Sequence, residues 1–254
     1  MIQQSHFPAS VSKEKCSLSL KAVRDNTVLI LTMQAGENRF NETFGTALLE
    51  ALAEIRRIAL HVHKTGPKPL ALVTVGEGKF FSNGLDIPKV FPIIEEYIPA
   101  FVHPILLGFM SLPIPTVAAI NGHAFAGGFL LAAAHDYRVM RTDRGYLCMN
   151  EVELPAPLSP GMAAVLRAKF TSPAALRDCL LHARRFSAQE ALDLNLVDVV
   201  APEAEVLPRA LDLALTHASR ACAGEAYGQL KEEMWSDAVD KLKHGGNGFA
   251  KARL

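Results

Sequence analysis

Apolar and polar positions along this 254-residue chain predict strands and helices in turn. Leu18 to Val23 and Val28 to Met33 are β-like runs about Asp25-Asn26, which reads as a hairpin turn. Asn41 stands where a helix cap is wanted. Phe44, Leu48, Leu52, Ile55, Ala59 and Val62 follow at helical spacing, with Glu50, Glu54, Arg56 and Arg57 between them. Pro69 leads into LALVTV, a continuous apolar run of the kind found in strands covered on both faces, and then into the loop GEGKFFSNGLDI with its three glycines. Residues 88–110 read as helical in part; Pro92, Pro99 and Pro104 predict two short pieces that form a lid or channel wall.

The stretch IPTVAAINGHAFAGGFLLAAAHD, residues 114–136, organises the rest. Ile114 to Ile120 reads as a buried strand, Asn121-Gly122 breaks it, and Phe129 to Ala134 after Gly127-Gly128 reads as a buried helix. The first N–H groups of a helix have no intrahelical partner and sit at its electropositive end. Glycine there lets an oxygen approach, which suits a phosphate, a carboxylate or a developing oxyanion. The same glycine pair would serve close helix packing equally well, so this stretch alone leaves both uses open. Further on, Asp136 to Met140 and the short Tyr146 to Cys148 are β-like, and the second delivers Met149-Asn150-Glu151. Proline-rich VELPAPLSP precedes helices at Met162 to Lys169 and Pro173 to Ala183. Ser187 and Glu190 have the spacing of a capping box, and Asn195 stands where a left-handed residue ends a helix. Val197 to Val200 returns as β, and Glu203 to Leu242 is helical with no further strand.

Strand and helix alternate through about residue 150, which argues for a parallel sheet with crossover helices in an α/β fold. Composition narrows the function. Lys plus Arg and Asp plus Glu are both 26, so net charge is zero and a broad nucleic-acid-binding face is not expected. No apolar run reaches the length of a membrane span, and MIQQSHFPAS has neither a secretory nor a transit pattern. Cys16, Cys148, Cys179 and Cys222 are scattered without CxxC spacing, as in a reducing compartment, and the histidines have no ligand spacing, so no metal is expected. Neither GxGxxG nor GxxxxGK[ST] occurs. The loops after LALVTV and after TVAAI are alike in build. In a parallel sheet such loops converge on the ligand, so each can offer one N–H to the same oxygen.

Four segments resemble the crotonase (enoyl-CoA hydratase/isomerase) family. FFSNGLDI is similar to its F-x-x-G-x-D-[ILV] segment, and AAINGHAFAGGFLLAAAHDYRVM to its glycine-loop segment. MNEVELPAPLSPGM is similar to its P/N-E-[VIT]-x-L-G segment, and FSAQEALDLNLVDVVAP to its A-x-E-A-x-x-x-G-L-V-x-x-V phrase. They stand in order over roughly residues 18–240. The resemblance implies a spiral of repeated ββα units with a C-terminal helical region, divided as a catalytic core at 1–200 and an oligomerisation region at 201–254. It implies an oxyanion hole made by the N–H groups of Leu85 and Gly127, with Ser82, Asn83, Gly84, Leu130 and Asn150 around the substrate. It further implies an acyl-CoA substrate and no cofactor, coenzyme A being part of the substrate.

Hydratases of the family carry two glutamates. In this chain the first position is Leu130 and the second is Glu151. That pattern resembles the Δ3,Δ2-enoyl-CoA isomerases, in which one carboxylate moves a proton from C2 to C4. Leu130, Leu147 and Val152 would surround Glu151 with apolar groups and raise its pKa. A hydratase, a dienoyl-CoA isomerase or an acyl-CoA hydrolase is the alternative, favoured if Glu95 or Glu96 faces Glu151; a non-catalytic acyl-CoA-binding scaffold is another. Asp86 and Asp136 read as cap or loop-bracing residues, His123 as structural, and Arg39 and Lys89 as candidates for the nucleotide end of coenzyme A. Ala126 and Pro155 replace glycines usual in the family pattern. Ala252-Arg253-Leu254 resembles the SKL-type signal read by a peroxisomal import receptor, which places the chain in the peroxisome. Family members are usually trimers or dimers of trimers, for which Leu207, Leu211, Leu215 and Trp235 are candidate contacts.

Overall fold

The computed structural model describes residues 5–8, 17–154 and 157–246. Pro155 and the terminal Ala252-Arg253-Leu254 lie outside these. A seven-stranded sheet runs in the order β1 (Ser5–Pro8), β2 (Ser17–Val23), β3 (Val28–Gln34), β4 (Ala71–Gly76), β6 (Thr116–Ile120), β8 (Tyr137–Arg141), β10 (Val199–Ala201). The first three strands pair antiparallel and the rest parallel, with Leu72 beside Thr116 and Val117 beside Tyr137. Successive side chains of β4 and β6 point to opposite faces and both faces are buried, which is why LALVTV and TVAAI have no polar alternation. Leu72, Ala118 and Ile120 face the main core; Val73, Val75, Val117 and Ala119 face the other side, covered by α9 (Glu203–His217) through Val206, Ala210 and Ala214.

A second sheet corrects the sequence reading. The two stretches read as loops each contain a strand, β5 (Phe80–Ser82) and β7 (His123–Phe125), which join β9 (Leu147–Cys148) in a parallel three-stranded sheet. Each small-sheet strand follows a large-sheet strand, β4 to β5, β6 to β7 and β8 to β9, and helical structure carries the chain onward, so it winds as repeated β-β-α turns. Strands of two or three residues beside glycine-bearing turns have no period-2 signature. Their glycines are required by space: a Cβ on Gly122 would lie 2.1 Å from the Lys79 carbonyl oxygen.

Asn41 caps α1 (Glu42–Thr65), accepting a 3.0 Å bond from Phe44 N. The proline-broken segment is one bent run, Ile87–Ser111, rather than two pieces. It comprises α2 (Ile87–Val90), a 3-10 turn, α3 (Ile94–Tyr97), a π turn at Ile98–Val102 and α4 (His103–Ser111). By length and composition it could cross a membrane, but Ile94, Tyr97, Ile98, Ile105 and Phe109 pack into the core. The glycine-loop helix α5 (Gly127–Ala134) begins at Gly127, two residues before the expected Phe129, and is buried throughout. Then come α6 (Pro160–Lys169), α7 (Pro173–Leu181) and α8 (Ala188–Asp193), the last with the expected capping box. Asn195 has φ +56°. After α9 the chain ends in α10 (Glu225–Met234) and α11 (Ser236–His244), and α11 packs back on α4 and α6. Leu207, Leu211, Leu215 and Trp235 are half-buried within the same chain; on α10 the exposed apolar residues are Leu230 and Met234.

Candidate active site

The fold brings the two glycine-bearing loops into contact. A Cβ on Gly84 would stand 3.1 Å from the Gly127 nitrogen and one on Gly127 3.5 Å from Gly84 Cα. Gly84 has φ +70°, a conformation that L side chains rarely adopt. Gly127 opens α5, so its N–H has no intrahelical acceptor. No hydrogen bond between described residues takes up the N–H of Leu85 or of Gly127. Ala126, just before, holds φ +51° and ψ −120°, a backbone state natural to glycine. Its methyl is the cost of departing from the family glycine there.

Glu151 opens a 3-10 turn, Glu151–Glu153, directly after β9 has delivered Met149 and Asn150. Its Oε2 is buried and has no hydrogen-bond partner. Burial lifts its carboxyl to about 7, against a smaller opposing effect of a hydrogen bond from its own backbone. The result is a carboxyl that titrates near neutrality, as a group that both takes and returns a proton requires. Its shielding differs from the expectation. Leu130 and Leu147 are fully buried, whereas Val152 is half exposed. Nearby Cys148 and Cys179 are buried thiols whose pKa values burial pushes up, Cys148 to about 11.

Glu151 lies in a cavity of about 250 Å3 with Leu85, Asn83, Asn150, Arg39 and Ala126. The rest of the lining is apolar: Ile87, Ile94, Ile98, Leu154, Pro157 and Met162. Glu151 is the one carboxylate among these lining residues. Glu95 and Glu96 are exposed and outside the lining. Ser82, Gly84, Gly127 and Leu130 are not in the lining either, though Ala126 just before Gly127 is. The Ser82 hydroxyl is fully buried and donates to Asn38 O at 2.7 Å, and Leu130 packs in the core. Asn150 lines the cavity, but no hydrogen bond joins its side chain to Glu151. The apolar wall from residues 87–98 was visible in the sequence only as a broken apolar segment; nothing there singled out Ile87, Ile94 or Ile98.

The charged residues near the mouth are braced. Arg39 pairs with Glu37 at 2.8 Å, and Glu37 accepts from Asn83 at 2.8 Å. Lys89 pairs with Asp86 at 3.3 Å. Asp136 is a brace at the far end of the sheet, accepting from Thr116 N at 2.9 Å and from Lys231 at 3.0 Å. His123 packs its ring against Phe80, Phe125 and Tyr146.

Comparison with known proteins adds independent findings. The family model described as enoyl-CoA hydratase/isomerase matches residues 24–248. Enoyl-CoA delta isomerase 1, peroxisomal, of Arabidopsis thaliana is 33% identical over 227 residues, 88% of this chain and 91% of that protein. Enoyl-CoA delta isomerase 2, peroxisomal, of the same organism is 30% identical over 84% of this chain and 90% of its own length. Among solved structures, an Mtb enoyl-CoA isomerase in its apo form superposes with a TM-score of 0.77 at 24% identity, covering 91% of this chain and 97% of the other. An enoyl-CoA hydratase from Mycobacterium marinum superposes at 0.75 with 25% identity, covering 89% and 95%. Isomerase and hydratase share the fold equally, so the superposition does not separate the two reactions.

Proposed function

Since the chain belongs to the enoyl-CoA hydratase/isomerase family, we propose that it converts 3-enoyl-CoA to trans-2-enoyl-CoA in fatty-acid oxidation. The thioester oxygen sits between the N–H groups of Leu85 and Gly127. Glu151 takes a proton from C2, and the charge of the dienolate collects on the oxygen facing the two donors. Protonated Glu151 then returns the proton to C4, which moves the double bond into conjugation with the thioester. Donors set in place before the charge develops stabilise it without rearrangement; losing one in other enzymes costs about 3–4 kcal/mol. Ile87, Ile94, Ile98 and Met162 offer the acyl chain an apolar wall, and Arg39 and Lys89 are the candidates for the nucleotide end of coenzyme A.

One observation carries the choice of reaction: Glu151 is the single carboxylate among the described residues of the cavity lining, and it is held near neutrality with an unsatisfied oxygen. Adding water across a double bond calls for a second group to position that water, and the described lining has no second carboxylate for it. The names of the Arabidopsis relatives support the same reading, and their peroxisomal designation supports import through Ala252-Arg253-Leu254. Assembly as a homotrimer or a dimer of trimers belongs to the same proposal, supported by Leu230 and Met234 exposed one turn apart on α10.

The test is to incubate the protein separately with a 3-enoyl-CoA and a 2-enoyl-CoA and to follow conjugated-thioester absorbance. Growth of absorbance from the first without loss from the second is expected. Hydration of 2-enoyl-CoA at a comparable rate refutes the isomerase reading. Glu151→Gln is expected to abolish turnover while acyl-CoA still binds.

A further inference from the structure

The N–H of Leu85 is aimed by its own peptide group. In a trans peptide the carbonyl and the following N–H point in opposite directions. The Gly84 carbonyl accepts from Phe40 N at 2.7 Å, and Asp86 N donates to Phe40 O at 2.8 Å. The Leu85 N–H therefore points away from Phe40. The segment 37–40 acts as a strap along the whole of 80–86: Asn83 N donates to Glu37 O at 2.9 Å, and the Ser82 hydroxyl donates to Asn38 O at 2.7 Å.

One side chain sets the register of that strap. Asn38 is fully buried with φ +51°. Its Oδ1 accepts from Ala35 N at 2.9 Å, closing the turn that starts the strap. Its Nδ2 donates to the carbonyls of Phe81 at 3.0 Å and Phe80 at 3.4 Å, fastening β5. Three of the four hydrogen-bonding positions of the amide are thus used, all on the two segments whose alignment decides where Leu85 N–H points. We propose that Asn38 is a positioning residue, holding the Glu37–Phe40 strap in the register that directs the Leu85 N–H at the thioester oxygen. The inference rests on the reading of Leu85 N–H as an oxyanion donor. Asn38 touches no reacting atom, and it does not line the cavity.

The test compares wild type with Asn38→Gly, which keeps the positive φ and removes only the amide, and with Ile55→Val, a mild core change in α1 remote from the strap. The readout is the infrared carbonyl stretch of a bound saturated acyl-CoA, which hydrogen bonding lowers and general loosening of the fold does not restore. In wild type and in Ile55→Val the bound stretch is expected below that of free acyl-CoA. In Asn38→Gly about half of that shift or more should be lost, with kcat down roughly 10- to 100-fold and KM within about threefold, a fraction of what deleting a donor costs. If Asn38→Gly yields no folded protein, Ser82→Ala, which removes a single strap bond, is expected to show a smaller loss in the same direction. A wild-type shift retained in full by a destabilised Asn38→Gly, or by Ser82→Ala in its place, overturns the inference alone. No shift in the wild type overturns the Leu85–Gly127 reading and the inference with it.

Discussion

Replacing Glu151 by Gln should make the protein more stable, and increasingly so as pH rises. The ordinary value of a glutamate carboxyl is 4.5, and burial lifts Glu151 to about 7. At about 1.4 kcal/mol for each tenfold in proton affinity, keeping this carboxylate ionised in the fold costs about 3 kcal/mol. A raised value means that the native state binds the proton more tightly than the unfolded chain does. The cost is absent below a pH of about 4, grows between about 4.5 and 7, and is complete above that. Glutamine has the same shape and carries no such cost at any pH. Urea unfolding at one protomer concentration should show Glu151→Gln gaining on wild type by about 2 kcal/mol between about pH 5 and pH 8. In melting temperature this is roughly 4–8 °C for a chain of this size. Lys169, whose ammonium burial pushes down to about 7, titrates in both proteins and cancels. Parallel stability profiles for the two proteins would refute the account of Glu151 as a desolvated, unpartnered carboxyl.

The same carboxyl sets the pH dependence of turnover: kcat/KM for a 3-enoyl-CoA should rise through about pH 7 as Glu151 ionises and level off above it, and a profile flat from about pH 5 upward would exclude it as the base. Lys231→Met strands Asp136, which is bonded to Thr116 and Lys231 in near-complete burial, and should cost about 3–5 kcal/mol by urea titration, much of it recovered when Asp136→Asn is added. Ala126→Gly releases a backbone held at φ +51° and ψ −120°; a gain of about 1 kcal/mol in unfolding free energy is expected after the greater freedom of unfolded glycine is counted. Gly128→Ala would put a Cβ 2.1 Å from the Ser82 carbonyl oxygen, a backbone clash expected to cost about 3 kcal/mol or more and to show as lost soluble yield.

The central strands β4 and β6 of the large sheet were legible because burial on both faces writes itself into the sequence as unbroken apolar runs, whereas the edge strand β1, Ser5–Pro8, was not anticipated. Of the small sheet only Leu147–Cys148 was anticipated, within the β-like Tyr146 to Cys148. Phe80–Ser82 and His123–Phe125 are too short for any period, and they exist because each large-sheet strand lays the following residues beside those of the next turn. Missing them had a consequence at the site. Ser82, read as a loop hydroxyl near the substrate, belongs to a buried strand and faces the strap instead. Glu151 was visible through its motif, but its unpartnered Oε2 was not, since burial of that atom depends on how distant segments of the chain pack together.

The glycine pair in the second loop shows how two readings of one sequence feature come apart in three dimensions. Gly127-Gly128 read either as an anion site or as a concession to packing, and the geometry shows that packing demands glycine at only one of the two. At Gly128 a methyl cannot fit, because the Ser82 carbonyl already occupies its place at 2.1 Å. At Gly127 the nearest atom to such a methyl is Gly84 Cα at 3.5 Å, an ordinary contact. Packing between α5 and β5 therefore explains the second glycine and not the first. Gly127 is left with an N–H that no described residue accepts, at the electropositive start of a buried helix and against the loop that carries the other free N–H. In the proposed mechanism that N–H faces the thioester oxygen, and Gly128, which docks the helix on β5, fixes where the N–H before it points.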